Sequence, residues 1–295
     1  MQRNLIIALG LLVLGNVFTA LYDVSIKWLP EDANAAMFLL LRQLSAIVIM
    51  LPFWLYAGRP RSQHIRLHLL RANSGSLGGL MLIIGLMSLP LATVSALFYS
   101  APLMIVVMGV LYLKERISIA QIGATLLGFI GILIILRPSE MNIAGFAVLI
   151  SALIFAANQL MLRKLPSSES ACLTVIHYNL LSLPLVVALA AVQGFAGTSW
   201  TMLAVAVASN CFLLAYQLFC ILAYRRAPAG EIAIAEYSGL LFCVFFGWLW
   251  FDEWLDGLSW FGAALIILPS LILPKLMQLA NKHKLAVNKK APSGF

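Results

Sequence analysis

The residues in this chain with chemistry to offer are few, and the most informative stand inside apolar runs. Glu236 lies in the stretch Glu231-Ile-Ala-Ile-Ala-Glu-Tyr-Ser-Gly, with Tyr237 directly after it. It is the one carboxylate clearly within an apolar run and away from that run's last turn. A carboxylate so placed can bind the cationic end of a ligand or take up and release a proton, and either task uses a partly desolvated ionisable group. The plainer alternative is an anion favoured by a nearby helix N-terminus. Other polar side chains recur at similar depth: Asn16, Tyr99 and Ser100, Asn158 and Gln217. Each can serve as a binding group or as hydrogen-bonded glue between helices. Together with Glu236 and Tyr237 they form the candidate set for substrate binding or coupling, with Glu236 facing a cavity and Tyr99 and Gln217 across from it.

A second pair of charges stands apart. Arg42 falls about seven residues into its run, roughly 10 Å deep at 1.5 Å per residue. A charge at that depth costs about 2.5–3.5 kcal/mol on insertion scales, so it needs a partner or water. Asp23, at the end of the preceding run, is the expected partner, and the two would form either a structural ion pair or a gate. Three prolines mark hinge candidates: Pro90, Pro102 and Pro228. Pro102 cannot donate to the carbonyl of Phe98, so its ring should kink the helix and expose a polar spot beside Tyr99 and Ser100.

Nothing in the chain fits soluble catalysis. There is no phosphate-binding G-x-x-x-x-G-K-[ST], no H-E-x-x-H and no G-x-S-x-G. The four cysteines lie within apolar runs without a C-x-x-C, so they read as small apolar residues rather than a disulfide framework or metal site. No cofactor, metal or catalytic residue is expected.

The elements that position these groups are membrane helices. Hydrophobic residues make up 62% of the chain and charged residues 10%, against about 25% charged in soluble domains. The apolar runs are near 20 residues long, the length of a spanning helix and twice that of a barrel strand. Ten spans are expected: 5–26, 35–56, 72–89, 91–113, 119–136, 143–163, 171–192, 203–224, 231–251 and 258–279. With the N-terminus on one side, 16 of the 19 Lys and Arg fall on that side, two on the other, and Arg42 within the membrane. The positive-inside rule then places both termini in the cytoplasm. The net charge of +8 therefore reads as cytoplasmic loops beside anionic lipid, not as nucleic-acid binding.

The stretch from Pro90 to Glu115 returns 138 positions later, from Pro228 to Glu253, with eight of 26 pairs identical. Among them are Pro90/Pro228, Tyr99/Tyr237, Gly109/Gly247 and Glu115/Glu253. An internal duplication follows. Residues 1–138 form one five-helix unit, 139–280 a second, and 281–295 a basic cytoplasmic tail. Five helices per unit force the copies into opposite orientations, a plan common in secondary transporters. The fold class expected is an all-α membrane protein of ten helices in two inverted repeats.

The two copies resemble the repeated unit of the drug/metabolite transporter superfamily, specifically its EamA-type ten-span carriers. The resemblance rests on Ser-Ala-Pro-Leu-Met-Ile-Val-Val-Met-Gly-Val-Leu-Tyr-Leu-Lys-Glu-Arg at 100–116, Glu-Tyr-Ser-Gly-Leu-Leu at 236–241 and Gly-Trp-Leu-Trp-Phe-Asp-Glu-Trp at 247–254. Arg42 falls where that family carries an arginine in its second span. Leu240 departs from the pattern, standing where the first copy has Pro102. The resemblance implies an inner-membrane secondary carrier of a small polar, amino-acid-like metabolite, with export favoured and protons a candidate coupling ion. Its alternative is an importer of a cofactor-like metabolite such as S-adenosylmethionine or a vitamin. A channel or intramembrane scaffold is the alternative of a different class. The oligomeric state is not legible.

Overall fold

The computed structural model describes residues 2–272 except 31–32, 115–117, 137–142, 167, 196, 254–256, 259, 263, 266–267 and 270–271. The chain is helical, and no strand occurs among the described residues. The helices are α1 (Gln2–Lys27), α2 (Ala35–Tyr56), α3 (Ile65–Ser88), α4 (Leu91–Phe98), α5 (Ala101–Leu113), α6 (Ile119–Leu136), α7 (Ile143–Arg163), α8 (Ala171–Val192), α9 (Trp200–Tyr224), α10 (Ala229–Ile232) and α11 (Ser238–Phe251). A 3-10 turn, Ala233–Tyr237, joins α10 to α11. Six of the helices are long and apolar enough to cross a membrane: α1, α2, α3, α7, α8 and α9. Shorter apolar helices account for 101–113, 122–131 and 235–251. The expected span 258–279 lies largely outside the described residues, as do Glu115, Arg137 and the basic tail.

Local chemistry sets several helix starts. Asn34, Ser170 and Ser199 cap α2, α8 and α9 by accepting from the backbone N–H groups of Met37, Leu173 and Met202 at 2.9, 3.0 and 3.0 Å. Two expected continuous spans are broken. The 91–113 run divides at Tyr99–Ser100, where Pro102 enters the first turn of α5. The 231–251 run divides into α10, the 3-10 turn and α11, although no proline lies inside it. Both broken runs close alike: Lys114 and Asp252 take left-handed backbone conformations, and their N–H groups reach back to the carbonyls of Gly109 and Gly247.

The interior holds polar side chains as well as apolar ones, and much of the outer surface is apolar. Asn16, Gln43, Ser76, Ser182 and Ser209 are buried, whereas Val48, Phe53 and Leu111 stand exposed on the outer helix faces. That distribution suits a lipid solvent, which rewards apolar surface and leaves polar groups to find partners inside. α1 packs on α9 and α11, α3 on α7 and α8, α2 on α8 and α9, and α5 on α7. One apolar cluster, holding Ile26, Phe38, Leu86, Leu97 and Val244, closes the end where α1 and α11 finish. At the opposite end the core divides in two. Leu12, Ile105 and Tyr224 belong to one cluster; Met50, Leu162 and Ile176 belong to the other.

At that divided end the loops before α3 and α8 meet on Glu169. Ser62 donates to its carboxylate, and His64 and His68 face it at 3.3 and 3.0 Å. Partial burial raises the Glu169 pKa, but hydrogen bonds from Ser62 and His68, with the charge on His68, more than offset it and leave it below the ordinary 4.5. A carboxylate depressed in the folded state stabilises fully above its unfolded pKa, and that contribution disappears as pH falls through the folded value. Glu169→Gln should therefore melt lower than wild type near pH ~7, with the difference narrowing below pH 4.5. Thermal melts of both proteins in detergent across that range check this; a constant difference would show that Glu169 does not titrate in its loop.

Candidate functional site

The two broken runs and all six long helices line a cavity of about 150 Å³. α1 contributes Asn16, Tyr22 and Asp23; α2 contributes Arg42; α3 contributes Arg71, Gly75, Gly78 and Gly79. From the other half come Asn158, Tyr178, Gln217 and Glu236. Tyr99 and Pro102 line it at the break between α4 and α5. The expected binding groups Glu236, Tyr99, Gln217, Asn158 and Asn16 thus share one wall-to-wall space, as do Asp23 and Arg42.

Glu236 sits in the 3-10 turn and is buried at 3% exposure. The Tyr224 hydroxyl donates to its Oε1 at 2.9 Å, and Cys220 Sγ lies 4.0 Å from the same atom. The turn itself is held by Asn16 of the adjacent α1, whose Nδ2 donates to the carbonyls of Ala235 and Glu236 at 2.9 and 3.3 Å and to Ser238 Oγ at 3.0 Å. Tightening from α to 3-10 spacing disturbs the regular backbone ladder, and an amide from a neighbouring helix supplies donors where water is scarce. Asn16 is therefore a positioning residue, and its own Oδ1 has no hydrogen-bond partner among the described residues. Asn158 donates to Ser74 Oγ and the Ile154 carbonyl, both at 3.1 Å, leaving its Oδ1 unpartnered; Gln217 Oε1 is likewise unpartnered. These three buried side-chain oxygens, on residues that line the cavity, keep their acceptor capacity unused. Tyr99 reaches the site because Gly239 opposes it: a Cβ there would lie 1.8 Å from the Tyr99 hydroxyl.

Four expectations are corrected. Tyr237 is 1% exposed but does not line the cavity; its ring packs against Gly128 of α6. Its neighbour Glu236 takes the cavity-facing direction, and consecutive helical positions diverge by about 100°. Ser100 is also outside the lining, because its Oγ donates to the Leu97 carbonyl at 2.8 Å and caps the helix break. Arg42 and Asp23 form no salt bridge. The Arg42 guanidinium instead donates to the Tyr22 hydroxyl and lies over that ring, while Asp23 Oδ2 accepts from Cys243 Sγ at 3.7 Å. Finally, α3 begins at Ile65 rather than near 72, so Arg71 belongs to a cavity wall and not to a basic surface loop. Of the hinge prolines, Pro102 lines the cavity, Pro90 is the residue from which α4 starts, and Pro228 lies between α9 and α10.

At the end closed by the single apolar cluster, Lys27 pairs with Glu253, with the Lys27 ammonium also 5.1 Å from the Phe251 ring centre. Trp28 meets Trp250 edge-on at 5.8 Å in the same place. These contacts tie the C-terminal ends of α1 and α11 together.

Comparison with known proteins adds an independent line. A family model described as the EamA-like transporter family matches residues 6–137 and again 142–273. A riboflavin transporter from Rhizobium johnstonii is 30% identical over 89% of each chain. An S-adenosylmethionine uptake transporter from Rickettsia conorii is 24% identical over 99% of this chain and 98% of its own. A pseudopaline exporter from Pseudomonas aeruginosa is 26% identical over 72% of this chain and 76% of its own. A protein known by its crystal structure superposes with a TM-score of 0.69 at 16% identity, over 93% of this chain and 99% of that one, a likeness of fold.

Proposed function

The chain belongs to the EamA-like transporter family of the drug/metabolite transporter superfamily, and from that premise we propose that it is a secondary carrier of a small polar metabolite, working by alternating access. The observation that carries this reading is the cavity itself: a buried, mixed-charge space bounded by two interrupted runs, one of them holding Glu236. Carriers place binding groups at such interruptions, where freed backbone and side chains face a ligand. The proposed architecture is ten spans in two inverted five-helix units, 1–138 and 139–280, with both termini in the cytoplasm of a bacterial inner-membrane protein. Its support is the duplicated motif, the matching left-handed caps at Lys114 and Asp252, and helix packing in which α1 meets α9 while its counterpart α7 meets α3. On that topology the end closed by the single apolar cluster faces outward and the divided core faces the cytoplasm.

Riboflavin and S-adenosylmethionine, from the relatives' names, are the first substrates to test. Both carry a flat polar ring, which the rings of Tyr22, Tyr99, Tyr178, Phe98 and Phe155 could flank. Uptake is the second direction weighed beside export, since these relatives are named for both. Counterflow in proteoliposomes of known orientation should show saturable exchange of at least one compound of a vitamin, amino-acid and S-adenosylmethionine panel. Linear, non-saturable flux would identify a channel instead, and the absence of any flux a scaffold. An Asp252→Cys variant should react with an impermeant thiol reagent from the periplasmic side; labelling from the cytoplasmic side would overturn the topology.

A further inference from the structure

Arg71 lines the cavity at its divided-core end and is 6% exposed. Its Nε and Nη1 have no hydrogen-bond partner, and no carboxylate lies within ion-pair distance among the described residues. Its nearest organised contact is the Tyr178 ring, 5.9 Å from the guanidinium carbon. Tyr178 is itself seated over α3, one turn along from Arg71 on the same face, because Gly75 has no Cβ: one there would stand 2.2 Å from the Tyr178 hydroxyl. The other charged groups nearby include cationic Arg42, which lines the same space, and Arg225, which donates to the Thr174 hydroxyl and the Glu169 carbonyl. The carboxylates of the cavity, Asp23 and Glu236, are engaged by Cys243 and by Tyr224.

A buried guanidinium without a counter-charge is destabilising unless something else supplies one. The planar group, backed by an aromatic face, suits a planar oxyanion. We infer that Arg71 and Tyr178 form an anion subsite that takes the carboxylate of the transported metabolite, while Glu236, which lines the same cavity, meets its cationic or hydrogen-bond-donating part. The inference deepens the carrier reading and rests on it. It names the substrate class as carboxylate-bearing, which S-adenosylmethionine fits and riboflavin, having no carboxylate, does not, and makes Arg71 the residue that distinguishes an acid from its neutral amide. Placed toward the divided end, the subsite is the first charged group in the cavity that a solute arriving from that side meets, or the last that it leaves.

The test is binding to the purified full-length protein. The probes are the natural amino acids and S-adenosylmethionine, each paired with its carboxamide. Wild type should bind at least one acid about 10- to 150-fold more tightly than its amide, the range for a hydrogen bond to a charged group. In Arg71→Gln the acid should fall to the level of the amide, with amide binding unchanged. Arg71→Lys should recover part of the preference. Arg71→Gln should melt no lower than wild type, since it removes an unpaired buried charge. Three results would overturn the subsite: no acid binds the wild type, Arg71→Gln keeps the preference, or acid and amide weaken equally. If Arg71→Gln fails to fold, loss of discrimination is read from Arg71→Lys, where an undiminished preference is the overturning result. An acid that binds through Arg71 yet shows no counterflow leaves the subsite standing and overturns the carrier reading.

Discussion

Glu236→Gln should reduce substrate exchange at least about 100-fold, a loss of about 2.7 kcal/mol of transition-state stabilisation, while leaving the melting temperature nearly unchanged. The two halves of that expectation have separate physical grounds. Gln is isosteric with Glu, and its amide oxygen can still accept the hydrogen bond that Tyr224 now gives at 2.9 Å. The backbone around it is held by Asn16, which binds the Glu236 carbonyl and not its side chain. The fold therefore loses little. The cavity loses the lining carboxylate that the broken second run supplies, and with it either the counter-charge for a cationic substrate group or the proton acceptor for coupling. The pH dependence of exchange separates these. If Glu236 carries a proton between half-cycles, the residual exchange of Glu236→Gln should be independent of pH. If it binds a cation, the variant should show raised KM for charged substrates only. Wild-type rate and pH dependence in the variant would reduce Glu236 to a partner of Tyr224 and move the site to Asp23 and Arg42.

Asn16→Ala should behave in the opposite way, losing stability and transport together. Its Nδ2 serves two backbone carbonyls and a serine hydroxyl on the 3-10 turn, and every one of these contacts spans more than 200 residues of sequence. Removing them leaves polar groups without a donor in a place where water is scarce, at a cost of about 2–3 kcal/mol. The turn then has no reason to keep its 3-10 spacing, and Glu236 loses its fixed position in the cavity wall. The expected result is a clear fall in melting temperature and exchange reduced to background. Rescue by Asn16→Gln should be poor, because the longer side chain must be bent to place its donor at the same carbonyls. An Asn16→Ala protein that melts as wild type and exchanges normally would show that the turn is held by its own backbone, with Asn16 a bystander. Comparing the two variants divides the site's chemistry from its scaffolding.

The part of this molecule legible in the sequence was that governed by solvent. A chain with so few charges and such long apolar runs has no stable arrangement in water, and within a membrane every backbone group must pair internally. Helices follow, and so does the significance of polar residues inside them. Glu236, Asn16, Tyr99, Asn158 and Gln217 stood out because burying them is costly, and all five line the cavity. The break at Pro102 was legible too, since a missing N–H is a property of the residue itself.

What the tertiary structure decided was direction. Tyr237 looked equal to Glu236 in sequence, but helix rotation aims one at the cavity and the other at Gly128. The break beside Glu236 has no proline to announce it; Asn16, 220 positions away, helps hold it. Arg42 took Tyr22 rather than Asp23 because partner choice depends on where rotamers meet across a helix pair, not on complementary charge alone. Arg71 was hidden for the reverse reason. Its charge and basic neighbours read as a surface loop, yet α3 starts six residues earlier and turns that face inward. Composition tells which side chains are expensive to bury. Only the packing of α1, α3, α8 and the two broken runs settles which of them share a space.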